Sequence, residues 1–332
     1  MPPIIHVENL RKDFRTFDRR KGVKGALQDL VRREYRTVKA VDGITFSIQP
    51  GELVGYIGPN GAGKSTSIKM LTGILAPSAG EMEVLGMHPF RDRKSYVRRI
   101  GVVFGQRTQL WWDIAVYESY RLLAKIYGVS ETEFKERLDL LDTVLELSPF
   151  LSTPVRKLSL GQRMRADLAA SLLHNPGILF LDEPTVGLDA VVRASIRSFL
   201  QRINAELGTT ILLTTHDLME IEELCRRIVI IDHGRIIFDG PLSEIKTLPG
   251  LKKEITIDLV REVSLVEVQK SFGDSVQFRL DAERRLRGSF DPHEISTVEV
   301  LKQIVERYEV ADLNVTEPNI EDIVRKIYRD GL

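Results

Sequence analysis

Apolar and polar residues alternate along "ITFSI", with Ile44, Phe46 and Ile48 on one side, and this predicts a half-buried strand. "HVENLRKDF" reads as the strand before it, and "GELVGYIG" as a short apolar strand entering a glycine-rich turn. A helix follows over 65–75, closed by "APSAG". Further on, "GILFLD" and "TTILLTTHD" are almost wholly apolar, the pattern of parallel strands buried on both faces. Helical stretches precede each of them, "SLGQRMRADLAASLLH" and "AVVRASIRSFLQRINAEL". Strands and helices that alternate in this way predict an α/β fold around a parallel sheet.

The pattern changes near residue 245. "KEITIDLV" alternates Ile255, Ile257 and Leu259 as a half-buried strand would. "STVEVLKQIVERY" and "NIEDIVRKIY" have helical spacing, the second with Asn319 as its expected N-cap and Glu321 and Asp322 in its first turn. The expected organisation is one large domain over 1–245 and a small α+β domain over 250–332. No fixed-period repeat or low-complexity segment is evident.

Composition narrows the function classes. The 332 residues carry 47 Lys+Arg and 47 Asp+Glu, so no global field argues for a nucleic-acid partner. One cysteine, Cys225, excludes an internal disulfide and is consistent with a reducing compartment. The N-terminus has no basic-then-apolar signal pattern, and the apolar runs fall far short of the roughly 20 residues a spanning helix needs.

The chemistry begins at "GPNGAGKST", residues 58–66, which fits the phosphate-loop pattern at Gly58, Gly63, Lys64 and Ser65. Glycines let successive backbone N–H groups face phosphates without side chains in the way. Lys64 adds a positive charge for the terminal phosphates, and the Ser65 hydroxyl is the expected Mg²⁺ ligand. In "ILFLDEP", Asp182 ends an apolar strand where it can hold Mg²⁺ through water. Glu183 follows as the expected general base, since phosphoryl transfer depends on positioning and charge neutralisation. His216, in "TTHD", would reach the terminal phosphate if its strand lies beside that of Asp182. Gln106, in "VVFGQRTQL", is a candidate ligand for Mg²⁺ and the attacking water. "LSLGQ" at 158–162 is a second helix entrance of the kind that receives anions.

Taken in order, "GPNGAGKST", Gln106, "LSLGQ", "LFLDEPTVGLD" and "TTHD" resemble the nucleotide-binding subunit of an ATP-binding cassette (ABC) transporter over about residues 4–245. The resemblance implies a P-loop cassette: a parallel-sheet core, an antiparallel β subdomain and an α-helical signature subdomain. It implies ATP and Mg²⁺ as ligands, with Gly58, Pro59, Asn60, Gly61, Ala62, Gly63, Lys64, Ser65 and Thr66 around the phosphates. It also accounts for the second anion-facing loop. Two cassettes meet head to tail, and Ser159 and Gly161 of one close over the nucleotide of the other. Gln162 supports that loop, and Asp189 belongs to the segment linking the two sites. The commonest signature has glycine where this chain has Leu160, which could not take a positive φ without cost.

Family members also stack an aromatic ring on adenine; here Tyr35 and Phe14 compete, with Tyr35 favoured and simple core packing the alternative. In the family they would be one position, split here by an expected basic insertion at 15–36, read as an amphipathic helix through Val23, Leu27, Leu30 and Val31. Its basic face would rest on lipid or a membrane subunit, or stay solvated while the helix packs on the cassette. Trp111, Trp112 and Tyr117 stand where the family receives its membrane subunits, and are read as an exposed aromatic groove, with core packing as the alternative. The C-terminal "EPNIEDIVRKIY" is similar to tails of ABC-2-type exporters. The expected function is therefore the ATPase subunit of an exporter, working as a homodimer with separate permease subunits on the inner face of a bacterial membrane. The alternative is a soluble ABC ATPase of translation or DNA repair. Translation factors usually carry two cassettes, and repair ATPases a long coiled coil, neither of which is evident here. Glu183 and His216 argue against a purely regulatory module.

Overall fold

In the computed structural model the described residues are 2–17, 35–105, 107–245, 251–317 and 320–330. The chain divides into two compact units, residues 1–240 and 241–332.

The first unit holds two sheets. β1 (Ile5–Phe17) pairs antiparallel with β2 (Tyr35–Ile48) on one side and with β4 (Ala79–Val84) on the other. The alternation read in "ITFSI" is present: Ile44, Phe46 and Ile48 are buried. The second sheet has six strands in the order β5-β6-β7-β3-β8-β9. β3 (Leu53–Ile57), β5 (Ile100–Phe104), β6 (Ile178–Asp182), β7 (Thr210–Thr215) and β8 (Arg227–Asp232) run parallel. The central strands β3, β6 and β7 are buried up to the partly exposed Asp182 at the end of β6, which is why they read as apolar runs. Side chains from both sheets form one core, including Ile5, Phe46, Tyr56, Phe180 and Leu212.

β8 turns through His233 and Gly234, both at positive φ, into β9 (Arg235–Pro241). That turn is also a clip. The Gly234 N–H donates to Ala62 O at 2.9 Å, and its carbonyl accepts from the Asp42 N–H at 2.8 Å. The phosphate loop and β2 are thereby tied to a segment far downstream.

The second unit is a four-stranded antiparallel sheet in the order β11-β12-β10-β13. Its strands are β10 (Lys253–Leu259), β11 (Val276–Ala282), β12 (Arg285–Phe290) and β13 (Val310–Thr316). The helices Leu265–Phe272 and Thr297–Arg307 contribute Val268, Phe272, Val300 and Ile304 to a core with Ile255, Ile257 and Leu286. A final helix spans Ile320–Asp330, while Asn319, its expected cap, lies outside the described residues.

Four expectations need correction or restriction. The helix predicted over 65–75 spans Lys64–Leu71, because the Thr72 hydroxyl turns back onto Ile68 O and Gly73 takes φ +69°. Phe14 does not end its strand, and Tyr35 does not precede the next one. β1 runs on to Phe17, which pairs with Tyr35 at the start of β2, so the edges of the expected 15–36 insertion are a hairpin. The amphipathic stripe from Val23 to Val31 lies outside the described residues.

Candidate functional site

The phosphate loop leaves the end of β3 and enters the helix Lys64–Leu71. Gly63 caps that helix at φ +110°, and a Cβ there would sit 2.5 Å from Ala40 O. Both facts exclude a side chain. At Gly58 an added Cβ would come within 2.3 Å of Ile231 O. The pattern G-x-x-x-x-G is thus enforced by strands packed on the loop as well as by its own curvature.

Lys64 is buried, and its Nζ donates to Gly58 O at 2.6 Å and Pro59 O at 3.2 Å. Burial lowers its pKa below the ordinary lysine range, opposed by the charges of Glu183 and Asp182. Across the loop, Ser65 Oγ donates to Asp182 Oδ1 at 3.2 Å. β6 and β7 are neighbours in register, with Asp182 opposite Thr214. Thr214 Oγ1 donates to Asp182 Oδ1 at 2.6 Å, and the Glu183 N–H donates to Thr214 O at 3.0 Å.

Glu183 has φ +53°, an unusual conformation for a non-glycine residue. It turns the side chain away from the strand line toward His216, whose Nδ1 is 3.5 Å from Glu183 Oε1. His216 is largely exposed and Glu183 only partly so. Strain of this kind persists only where the surroundings hold it, here through the doubly bonded Glu183 N–H.

Two cavities meet at Ser65 and Glu183. One, of about 170 Å³, is lined by Ala40, Asn60, Gly61, Gly63, Lys64, Ser65, Thr66 and Glu183. The other, of about 380 Å³, adds Lys69, Ile74, Phe104, Gly105, Arg107 and Asp182. The structure therefore brings Lys64, Ser65, Asp182, Glu183 and His216 together. Gln106 lies outside the described residues.

Ser159, Gly161, Gln162 and Asp189 line neither cavity and form a separate cluster. Ser159 caps the helix Leu160–Leu172 in a capping box: Gln162 N donates to Ser159 Oγ at 3.2 Å, and Ser159 N to Gln162 Oε1 at 3.0 Å. Leu160 is simply the first helical residue, so the cost anticipated for a positive φ does not arise. Asp189 caps the helix Ala190–Leu207 through the Val192 N–H at 2.9 Å. An added Cβ on Gly161 would meet Val192 at 3.1 Å, so the two capped helix starts are pressed together.

Trp111 and Trp112 are 41% and 49% exposed, whereas Tyr117 is half-buried against the Phe134 ring at 5.9 Å. The exposed aromatic face is thus narrower than the sequence suggested. Phe14 and Tyr35 are both exposed; Tyr35 meets Phe17 edge to face at 6.1 Å, and Lys12 stands over the Phe14 ring. Thr214, Lys69 and Arg107 were not anticipated. Thr214 was readable only through the β6–β7 register, because its own string, "LLTTH", gives no reason to prefer it to Thr215.

Comparison with known proteins gives this geometry its context. Residues 41–186 match the family model described as ABC transporter. The chain is 40% identical over 214 residues to the Nod factor export ATP-binding protein I of Burkholderia thailandensis, covering 63% of this chain and 68% of that one. It is 35% identical over 259 residues to the daunorubicin resistance ATP-binding protein DrrA3 of Streptomyces coeruleorubidus, covering 78% and 80%. A solved dimeric ATP-binding cassette in a post-hydrolysis state, bound to ADP and Pi, superposes with a TM-score of 0.59 at 25% identity, covering 72% of this chain and 98% of that one. A phosphate loop, a strand-end Asp–Glu pair and a histidine on the adjacent strand, within a sequence so related, establish that the chain belongs to the family of ABC transporter ATP-binding proteins.

Proposed function

We propose that this chain is the ATPase subunit of an exporter, with the residues above in the following roles. Gly58 to Thr66 cradle the phosphates, and Lys64 offsets their charge. Glu183 accepts a proton from the attacking water, and His216, held against it, keeps its carboxylate aimed at the terminal phosphate. The observation that carries this reading is the Glu183–His216 contact of 3.5 Å at the ends of two paired parallel strands, beside a complete phosphate loop.

The donor set fits Mg²⁺. Ser65 and Asp182 offer hard oxygen ligands 3.2 Å apart, the chemistry that ion prefers beside phosphates. When bound it would neutralise charge on the phosphate oxygens. Gln106 belongs to the same proposed ligand set.

The Ser159–Asp189 cluster lines neither cavity, so we assign it to the nucleotide of a second copy, in head-to-tail dimers. The exposed Trp111 and Trp112 suit a membrane partner. Among the described residues no helix is long and apolar enough to cross a membrane, which fits a separate permease holding the chain at the inner face. Export is supported by the functions for which two relatives are named, Nod factor export and daunorubicin resistance. Tyr35 remains our choice over Phe14 for adenine.

The test is Glu183→Gln. It is expected to bind ATP, lose turnover by about 100-fold or more, and run as a dimer on gel filtration with ATP. A variant that hydrolyses normally would overturn the assignment of the base; one that remains monomeric with ATP would overturn the shared pocket.

A further inference from the structure

A buried carboxylate outside the roles above stands directly behind the site. Glu220 is 1% exposed, in the short helix Leu218–Leu224 that follows His216. Thr185 Oγ1 donates to its Oε2 at 2.9 Å, and Thr185 is itself 4% exposed. The Thr215 hydroxyl lies against the same carboxyl and favours its ionised form, as Thr185 does, while burial acts the other way and prevails. Thr215 also accepts from the Asp217 N–H at 3.0 Å. Among the described residues, Glu220 Oε1 has no hydrogen-bond partner.

Thr185 is two residues beyond Glu183, and Thr215 immediately precedes His216. Each hydroxyl belongs to one of the segments that carry the candidate catalytic side chains. A carboxyl buried for packing alone would be a poor choice there, because an apolar residue of similar volume avoids the desolvation cost. What an apolar residue cannot do is accept the Thr185 hydroxyl. Glu183 also needs such a hold, since its φ of +53° is not one the backbone keeps unaided.

We propose that Glu220 is a positioning residue for ATP hydrolysis: it holds Thr185 by a hydrogen bond from the helix that follows His216, and so ties the segment of Glu183 to that of His216. The proposal rests on the hydrolytic reading of those two residues. It acts on the reacting step and leaves the phosphate loop alone, so turnover and nucleotide affinity separate.

The full-length chain tests it, by steady-state ATPase kinetics and binding of a fluorescent ATP analogue. Glu220→Ala is expected to lower kcat by about tenfold or more while KM and analogue affinity stay within about twofold. Glu220→Gln, which keeps an acceptor oxygen, is expected to restore at least about a third of the wild-type kcat. Thr185→Val should match Glu220→Ala, and the double variant should lose no more than the worse single one. Wild-type kcat in Glu220→Ala would overturn the proposal. So would a Glu220→Gln no better than Glu220→Ala, or losses that multiply in the double variant. If Glu220→Ala does not fold, Thr185→Val decides: lowered kcat at constant KM supports the grip, and unchanged kcat overturns it. Glu183→Gln runs alongside. Normal turnover there removes the hydrolytic reading itself, whereas an inactive Glu183→Gln beside a fully active Glu220→Ala removes only the positioning role.

Discussion

Asp167 sits on the inward side of the helix Leu160–Leu172, 5% exposed, and accepts from Thr108 Oγ1 at 2.8 Å and the Gln109 N–H at 3.0 Å. Burial outweighs these bonds and the nearby Arg163 charge, and pushes its pKa up to about 6. The folded protein therefore holds this proton more tightly than the unfolded chain does. The cost of the buried charge is absent below about pH 4, where both states are protonated, and complete above about pH 6, at about 3 kcal/mol. Asp167→Asn keeps an acceptor without the charge. It is expected to stabilise the chain by up to that amount in urea unfolding at pH 8, and to leave stability unchanged near pH 4. Nothing in "MRADLAAS" marks this aspartate as buried. The phosphate-loop and strand-end residues were legible because each motif is a local string with a local reason. Asp167, Thr214 and Glu220 owe their settings to partners far along the chain, and a single sequence does not say which strand or loop will face them.

At the scale of elements, helix starts do double duty. Ser159 both begins the helix Leu160–Leu172 and, in our reading, presents its hydroxyl to a second copy. The two roles separate by substitution. Ser159→Ala should cost about 1 kcal/mol of stability, and Ser159→Gly only a few tenths, because glycine is a tolerable cap. Turnover should fall equally in both, since neither has a hydroxyl. Denaturant titration and ATPase assays on the same samples check this, and turnover that tracked stability would leave the serine with a capping role only. The spacing Ser159-x-x-Gln162 is itself a capping-box signature, so this element end could have been read in advance. The strand ends at Phe17 and Tyr35 could not. Arg15, Thr16 and Arg36 have no apolar alternation to mark a strand, and only pairing across the hairpin makes them one.

For the whole molecule, the buried strands β3, β6 and β7 were the most legible part, because a sheet covered on both faces needs unbroken apolar runs. The sheet of the second unit was less so. β12 reads "RLRGSF", with arginines outside and Gly288 where a Cβ would come within 2.6 Å of the Phe278 ring, and neither residue signals a strand. Because the Ser159–Asp189 cluster lines neither cavity, one chain by itself is expected to be nearly inactive. ATPase activity per chain should therefore rise with protein concentration and fall on dilution. Constant specific activity across a range in which sedimentation shows only monomer would contradict a shared pocket.

The clip formed by Gly234 on Ala62 and Asp42 ties the maturation of the nucleotide site to the order in which the chain is made. The loop around Lys64 is synthesised early, yet its last backbone bond is supplied by a turn some 170 residues later. A chain ending before Gly234 carries every residue of the phosphate-loop motif without the brace that shapes it. A chain truncated before Gly234 is therefore expected to bind a fluorescent ATP analogue more weakly than the full chain.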